Sequence, residues 1–80
     1  MIMETKEQIL AILKEVKPTK NLENVTDIIE GGYIDSFELM SLVMRLNETF
    51  GIEITIDELI PENFNSVVAI SEMVDRISNK

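Results

Sequence analysis

The stretch from Asp35 to Gly51 constrains the fold more than any other part of the chain. Asp35 is suited to cap a helix, and Glu38 stands three residues on, where it can return a hydrogen bond to the cap. Gly51 follows Phe50 and suits the left-handed residue that closes a helix. A helix over 36–50 is therefore bounded at both ends by its own residues. At about 100° per residue, Leu39, Leu42, Val43, Leu46 and Phe50 share one arc, the face expected to be buried. Phe37, Met40 and Met44 form a second apolar stripe, with Glu38, Ser41, Arg45, Glu48 and Thr49 on the side between. Glu38, Arg45 and Glu48 need water, so the second stripe is expected to be at least partly exposed. A Met-containing stripe rimmed by charge suits partners of several shapes.

The remaining elements arrange themselves around this helix. Thr5-Lys6-Glu7-Gln8 fits a capping box with Thr5 as the cap, and Ile9, Ile12, Leu13 and Val16 recur at helical spacing up to Pro18. This predicts a first helix ending at Glu15 to Lys17. A last helix is predicted after Asn65 or Ser66, with Val67, Ile70, Met73, Val74 and Ile77 on its buried face. The connection 18–34 is long, but Leu22, Val25, Ile28, Ile29 and Ile34 punctuate it. It is expected to lie on the core, with a helical turn near 25–28 and backbone freedom at Gly31-Gly32. Ile52-Glu53-Ile54-Thr55-Ile56 alternates like a strand, yet nothing else in the chain offers it a partner. An extended connector with its isoleucines packed inward is predicted, followed by a short turn of helix within 57–64. The expected architecture is an all-α bundle of three main helices plus a short helix, with a long loop between helices one and two, in a single domain spanning 1–80.

Charge and missing residue types narrow the function. The net charge is −8, and between Leu22 and Asp75 only Arg45 is basic, against twelve acids. Nucleic acid and anionic lipid are poor partners for such a surface, and a basic protein surface is a good one. There is no cysteine and no histidine. The commonest thiolate, general base and metal ligand are thereby removed. Asp57-Glu58 and Glu62 lack the spacing of a calcium loop. Neither catalytic residues nor a metal site are predicted. The N-terminal residues lack a basic region followed by a long apolar stretch, and no apolar run reaches membrane-spanning length. A cytoplasmic monomer without membrane insertion is expected.

Ser36 stands at the first position of the predicted central helix, beside Asp35. No His or Lys lies near it in sequence to activate it as a nucleophile. A helix start nevertheless has unpaired N–H groups and a partial positive charge, so an anionic phosphodiester attached there is well placed. On the dipeptide alone, an ordinary polar residue of the first turn is the alternative. The surrounding segment Gly31-Gly32-Tyr33-Ile34-Asp35-Ser36-Phe37-Glu38-Leu39 resembles the attachment motif of acyl carrier proteins, usually a Gly-x-x-Asp-Ser-Leu pattern opening the second helix. Leu42 to Ile52 resembles the rest of that helix and its exit, and Pro61 to Val67 the approach to the last one. The likeness extends from about Thr5 to Ile77.

The resemblance implies a carrier without catalysis of its own. A phosphopantetheinyl transferase would attach 4'-phosphopantetheine from coenzyme A to Ser36, with Asp35 supporting the transferase and its magnesium ion. The arm would carry acyl intermediates as thioesters for fatty-acid or polyketide-type synthesis. Phe37, Glu38, Met40, Ser41, Met44 and Glu48 would meet acyl-loading and acyl-transfer enzymes through their basic docking patches. Leu39, Leu46, Ile54 and Ile70 would line a space for the acyl chain. Phe37 replaces the usual Leu, and Ser41, Arg45 and Asn47 make the central helix less acidic than in typical fatty-acid carriers. The segment Tyr33-Ile34-Asp35-Ser36-Phe37 resembles D-alanyl and peptidyl carriers more closely, so an aminoacyl carrier is the alternative. An acidic helical interaction module without a prosthetic group is the alternative from another class.

The crowding of acids makes one prediction independent of any cargo. Added salt or magnesium should raise the melting temperature at neutral pH by screening self-repulsion. A melting temperature unmoved by either would show that the acids do not form a destabilising field.

Overall fold

A computed structural model describes residues 4–79. Helix α1 runs over Thr5–Val16, α2 over Ser36–Phe50, α3 over Pro61–Phe64 and α4 over Val67–Ser78, with a 3-10 turn at Ile56–Glu58 before α3. Among the described residues there is no strand. Helix α1 packs against α2 and α4, and the short α3 packs against α4. This is the expected acyl-carrier-like bundle of three main helices plus a short one, with a long loop between α1 and α2.

The ends of α2 follow the sequence. Asp35 caps it in an extended conformation, and Gly51 closes it in the left-handed region at φ 62°. Ser66 caps α4, accepting a hydrogen bond from the Ala69 N–H at 3.0 Å. The start of α1 differs from expectation by one residue. Glu4, not Thr5, is the cap, and Glu7 takes the place expected of Gln8, accepting the Glu4 N–H at 3.3 Å. The earlier register puts a carboxylate rather than an amide against the positive end of the helix, which is the stronger interaction.

One apolar core joins all four helices. Ile9, Ile12 and Leu13 come from α1, Leu42, Val43 and Leu46 from α2, Phe64 from α3, and Val67, Ile70, Met73 and Val74 from α4. Ile77 of α4 is only partly buried and packs at the edge of the core. The long loop adds Leu22, Ile28 and Ile34, so it does lie on the core. It forms turns, however, and the helical turn expected near 25–28 is absent. The reason is that the N–H groups of residues 28–30, which such a turn would draw on, find their partner in Asn65 outside the loop. Ile28 N–H donates to the Asn65 carbonyl at 2.9 Å, and the Ile29 and Glu30 N–H groups donate to Asn65 Oδ1 at 3.0 and 3.2 Å. Asn65 Nδ2 donates in turn to Glu30 Oε1 at 2.7 Å. Beyond this clamp the chain turns tightly. A Cβ on Gly31 would lie 2.7 Å from the Asp27 carbonyl oxygen, and Gly32 takes φ 74°.

The connector after α2 corrects a second expectation. Ile54 is buried and Ile52 half-buried, but Ile56 is 85% exposed. Asn47 holds the first part, its Oδ1 accepting the Ile54 N–H at 3.0 Å. The backbone then turns into the 3-10 turn at Ile56, so the two-residue alternation that would have aimed Ile56 inward stops one residue early. The turn is fastened to α4 by a two-pronged ion pair, Arg76 to Glu58 at 2.8 and 3.0 Å. The hydrogen bonds to Glu58 raise the Arg76 guanidinium above its ordinary pKa.

Asn65→Ala removes the acceptor for two loop N–H groups and should cost about 1–2 kcal/mol in urea unfolding. Amide hydrogen exchange at Ile29 and Glu30 should quicken locally. Unchanged exchange there would show that the loop is held by its apolar side chains alone.

Candidate functional site

The reciprocal cap of α2 fixes the geometry around Ser36. Glu38 N–H donates to Asp35 Oδ1 at 2.8 Å, and Asp35 N–H donates to Glu38 Oε1 at 2.9 Å. Two otherwise unpaired helix-start donors are thus satisfied by neighbouring side chains. Ser36 is the first helical residue between them and is exposed. Among the described residues its hydroxyl has no hydrogen-bond partner.

Lys17, just past the end of α1, reaches this cap. Its Nζ lies 3.1 Å from Glu38 Oε2 and 3.4 Å from Oε1. The side chains are 29% and 23% exposed, so water screens this pair less than a fully exposed one. Two turns further along α2, Arg45 pairs with Glu15 of α1 at 3.1 Å, and this pair is more open to solvent. The first pair therefore does more to fasten the Ser36 end of α2 to α1. Sequence reading placed neither partner of the Lys17–Glu38 pair in it. A lysine before a proline is an ordinary helix end, and no local pattern reveals a contact across 21 residues.

The second stripe of α2 is open. Phe37 is 85% exposed, Met40 50% and Met44 62%. With Ser41 they line a shallow groove of about 340 Å³ on the same helix as Ser36. Glu48 is exposed further along, whereas Glu38 is engaged in the cap and with Lys17. The opposite face of α2 is in the core: Leu46 is fully buried, and Leu39 is half-buried against the same cluster that takes in the buried Ile54 and Ile70. The structure thus separates the stripe expected to meet partners from the residues expected to line an acyl space. No helix among the described residues is long and apolar enough to cross a membrane.

The fold is thus a helical bundle that places an exposed serine at a capped helix start. The chain belongs to the phosphopantetheine attachment site family, whose sequence profile matches residues 7–74. Members of that family carry 4'-phosphopantetheine covalently, and they serve modifying and synthase enzymes as carriers. No match to a curated protein is significant.

The cap gives a direct test of local stability. Asp35→Ala should cost about 1 kcal/mol in urea unfolding and speed amide exchange at Glu38, while Asp35→Asn retains most of both. Equal stability of Asp35→Ala and the unaltered protein would show that Lys17 and packing alone hold the first turn.

Proposed function

We propose that this chain is an acyl carrier protein and that Ser36 is its attachment residue. The observation that carries the proposal is the Ser36 hydroxyl, exposed and without a hydrogen-bond partner, at the first position of a capped helix. A phosphodiester on that oxygen fits the place: it meets solvent, a helix N-terminus and no buried side chain. Among the described residues no base is hydrogen-bonded to the Ser36 hydroxyl, and its activation is assigned to a phosphopantetheinyl transferase. In that reaction the Ser36 oxygen forms a bond to the phosphorus of coenzyme A's pantetheine arm. The pyrophosphate bond breaks, the hydroxyl proton departs, and adenosine 3',5'-bisphosphate is released. Asp35, exposed beside Ser36, is the residue proposed to support the transferase and its magnesium ion. When bound, the group supplies a terminal thiol that holds acyl units as thioesters.

Partner enzymes are proposed to dock through basic patches on the α2 face of Phe37, Met40, Ser41, Met44 and Glu48. Its support is the combination of exposed apolar side chains with a net charge of −8. Such contacts form fast and dissociate readily, as a carrier visiting several enzymes requires. Leu39, Leu46, Ile54 and Ile70 are proposed to part for an acyl chain, since Leu46, Ile54 and Ile70 belong to one apolar core and Leu39 packs against it. The carrier is proposed to act as a monomer, as one domain in the cytoplasm, in fatty-acid or polyketide-type synthesis, with no catalysis of its own. The second reading is an aminoacyl cargo, supported by the likeness of Tyr33-Ile34-Asp35-Ser36-Phe37 to D-alanyl and peptidyl carriers.

Incubation with coenzyme A, magnesium and a promiscuous transferase should add one phosphopantetheine by intact mass, and Ser36→Ala should take none. An absent adduct on folded protein would overturn the carrier reading in favour of an acidic interaction module. Loading with malonyl, fatty-acyl and aminoacyl donors then separates the two cargoes.

A further inference from the structure

Three hydrogen bonds converge on the Glu38 carboxylate: one from the Asp35 N–H and two from Lys17 Nζ. Glu38 is thereby held at the mouth of α2, two residues from Ser36, and cannot turn away into solvent without breaking the cap. Asp35 holds a second carboxylate at the same end through the Glu38 N–H. A phosphodiester on Ser36 adds a further negative charge between them, well inside a Debye length of about 10 Å. The helix N-terminus offsets part of the repulsion. Of the ion pairs at this end of α2, the one with Lys17 supplies the full positive charge, and Arg45 is occupied two turns away with Glu15.

We propose that Lys17 is a positioning residue for the modified serine: it neutralises the captive Glu38 carboxylate, so that Ser36 can take an anionic group without loosening the start of α2. The proposal rests on Ser36 being the attachment point. Lys17 acts through Glu38 and has no part in the transfer itself. Its role lies in the loaded protein, where α2 would otherwise begin with two carboxylates and a phosphodiester and, among the described residues, no cation paired to them. A lysine that merely fastens α1 to α2 would stabilise the unloaded and loaded forms alike. A lysine that compensates charge stabilises the loaded form more.

The test compares the melting temperatures of unloaded and loaded protein at low salt, with loading verified by intact mass. In Lys17→Met, loading should lower the melting temperature by about 2–6 °C more than it does in the unaltered protein. The extra drop should fade at about 0.5 M salt, where the Debye length falls below 5 Å, and Lys17→Arg should behave as the unaltered protein does. Lys17→Gln gives the same comparison if the methionine variant folds poorly. Equal loading-induced shifts in the unaltered protein and in either neutral variant overturn the proposal and leave Ser36 as the attachment residue. A folded, unaltered protein that takes no adduct overturns the attachment reading and this one with it.

Discussion

The exchange of hydrogen bonds between Asp35 and Glu38 decides where α2 begins, and with it where Ser36 stands. Were the helix to start one residue later, Ser36 would become the cap and its hydroxyl would turn back to accept a backbone N–H. With Asp35 as the cap, that task is already done, and the Ser36 hydroxyl is left outward and unpaired. The accessibility of the serine is therefore a consequence of a better capping residue next to it. Lys17 extends the same arrangement across to α1, so the site's orientation depends on one ion pair as well as on local backbone geometry.

The loop before α2 is part of the fold rather than an appendage to it. Three of its residues, Leu22, Ile28 and Ile34, are as buried as those of the helices. Burying a side chain of this kind stabilises by roughly 1.5–3 kcal/mol, a large share of what a chain of this length has in total. Backbone bonds to Asn65 keep the loop from wandering, because they satisfy N–H groups that a helical turn would otherwise have satisfied internally. The loop is thus delivered to Gly31-Gly32 at a fixed position, and Ile34 anchors the chain immediately before the cap.

Helix α2 has two apolar faces with different fates. Its core face meets α1 and the rest of the cluster, while Phe37, Met40 and Met44 stay in water beside Ser36. A small bundle has no further layer to cover them, since three long helices bury only one face each. Arg45 is paired with Glu15, so it does little to offset the surrounding acids. What results is an apolar groove within an acidic surface, on the element that also presents the serine.

By itself the sequence determined the helices and the place of Ser36. Capping residues, the helical spacing of apolar side chains and the glycine after Phe50 act within a few residues of one another, and local signals of that kind can be read along a chain. The second stripe of α2 was legible for the same reason. The register of α1 shifted by one because residue type alone favours Thr5 as the cap, whereas the reciprocal hydrogen bonds between Glu4 and Glu7 favour Glu4. Ile56 was misplaced because alternation tells which side chains share a side, not where the strand-like backbone stops. Tertiary structure alone decided the roles of Asn65, Asn47 and Lys17. Each is a polar residue with several possible partners, and which one it takes depends on what folding brings near. Lys17 meets Glu38 across 21 residues because the packing of α1 on α2 closes that distance, a fact no stretch of the chain contains on its own.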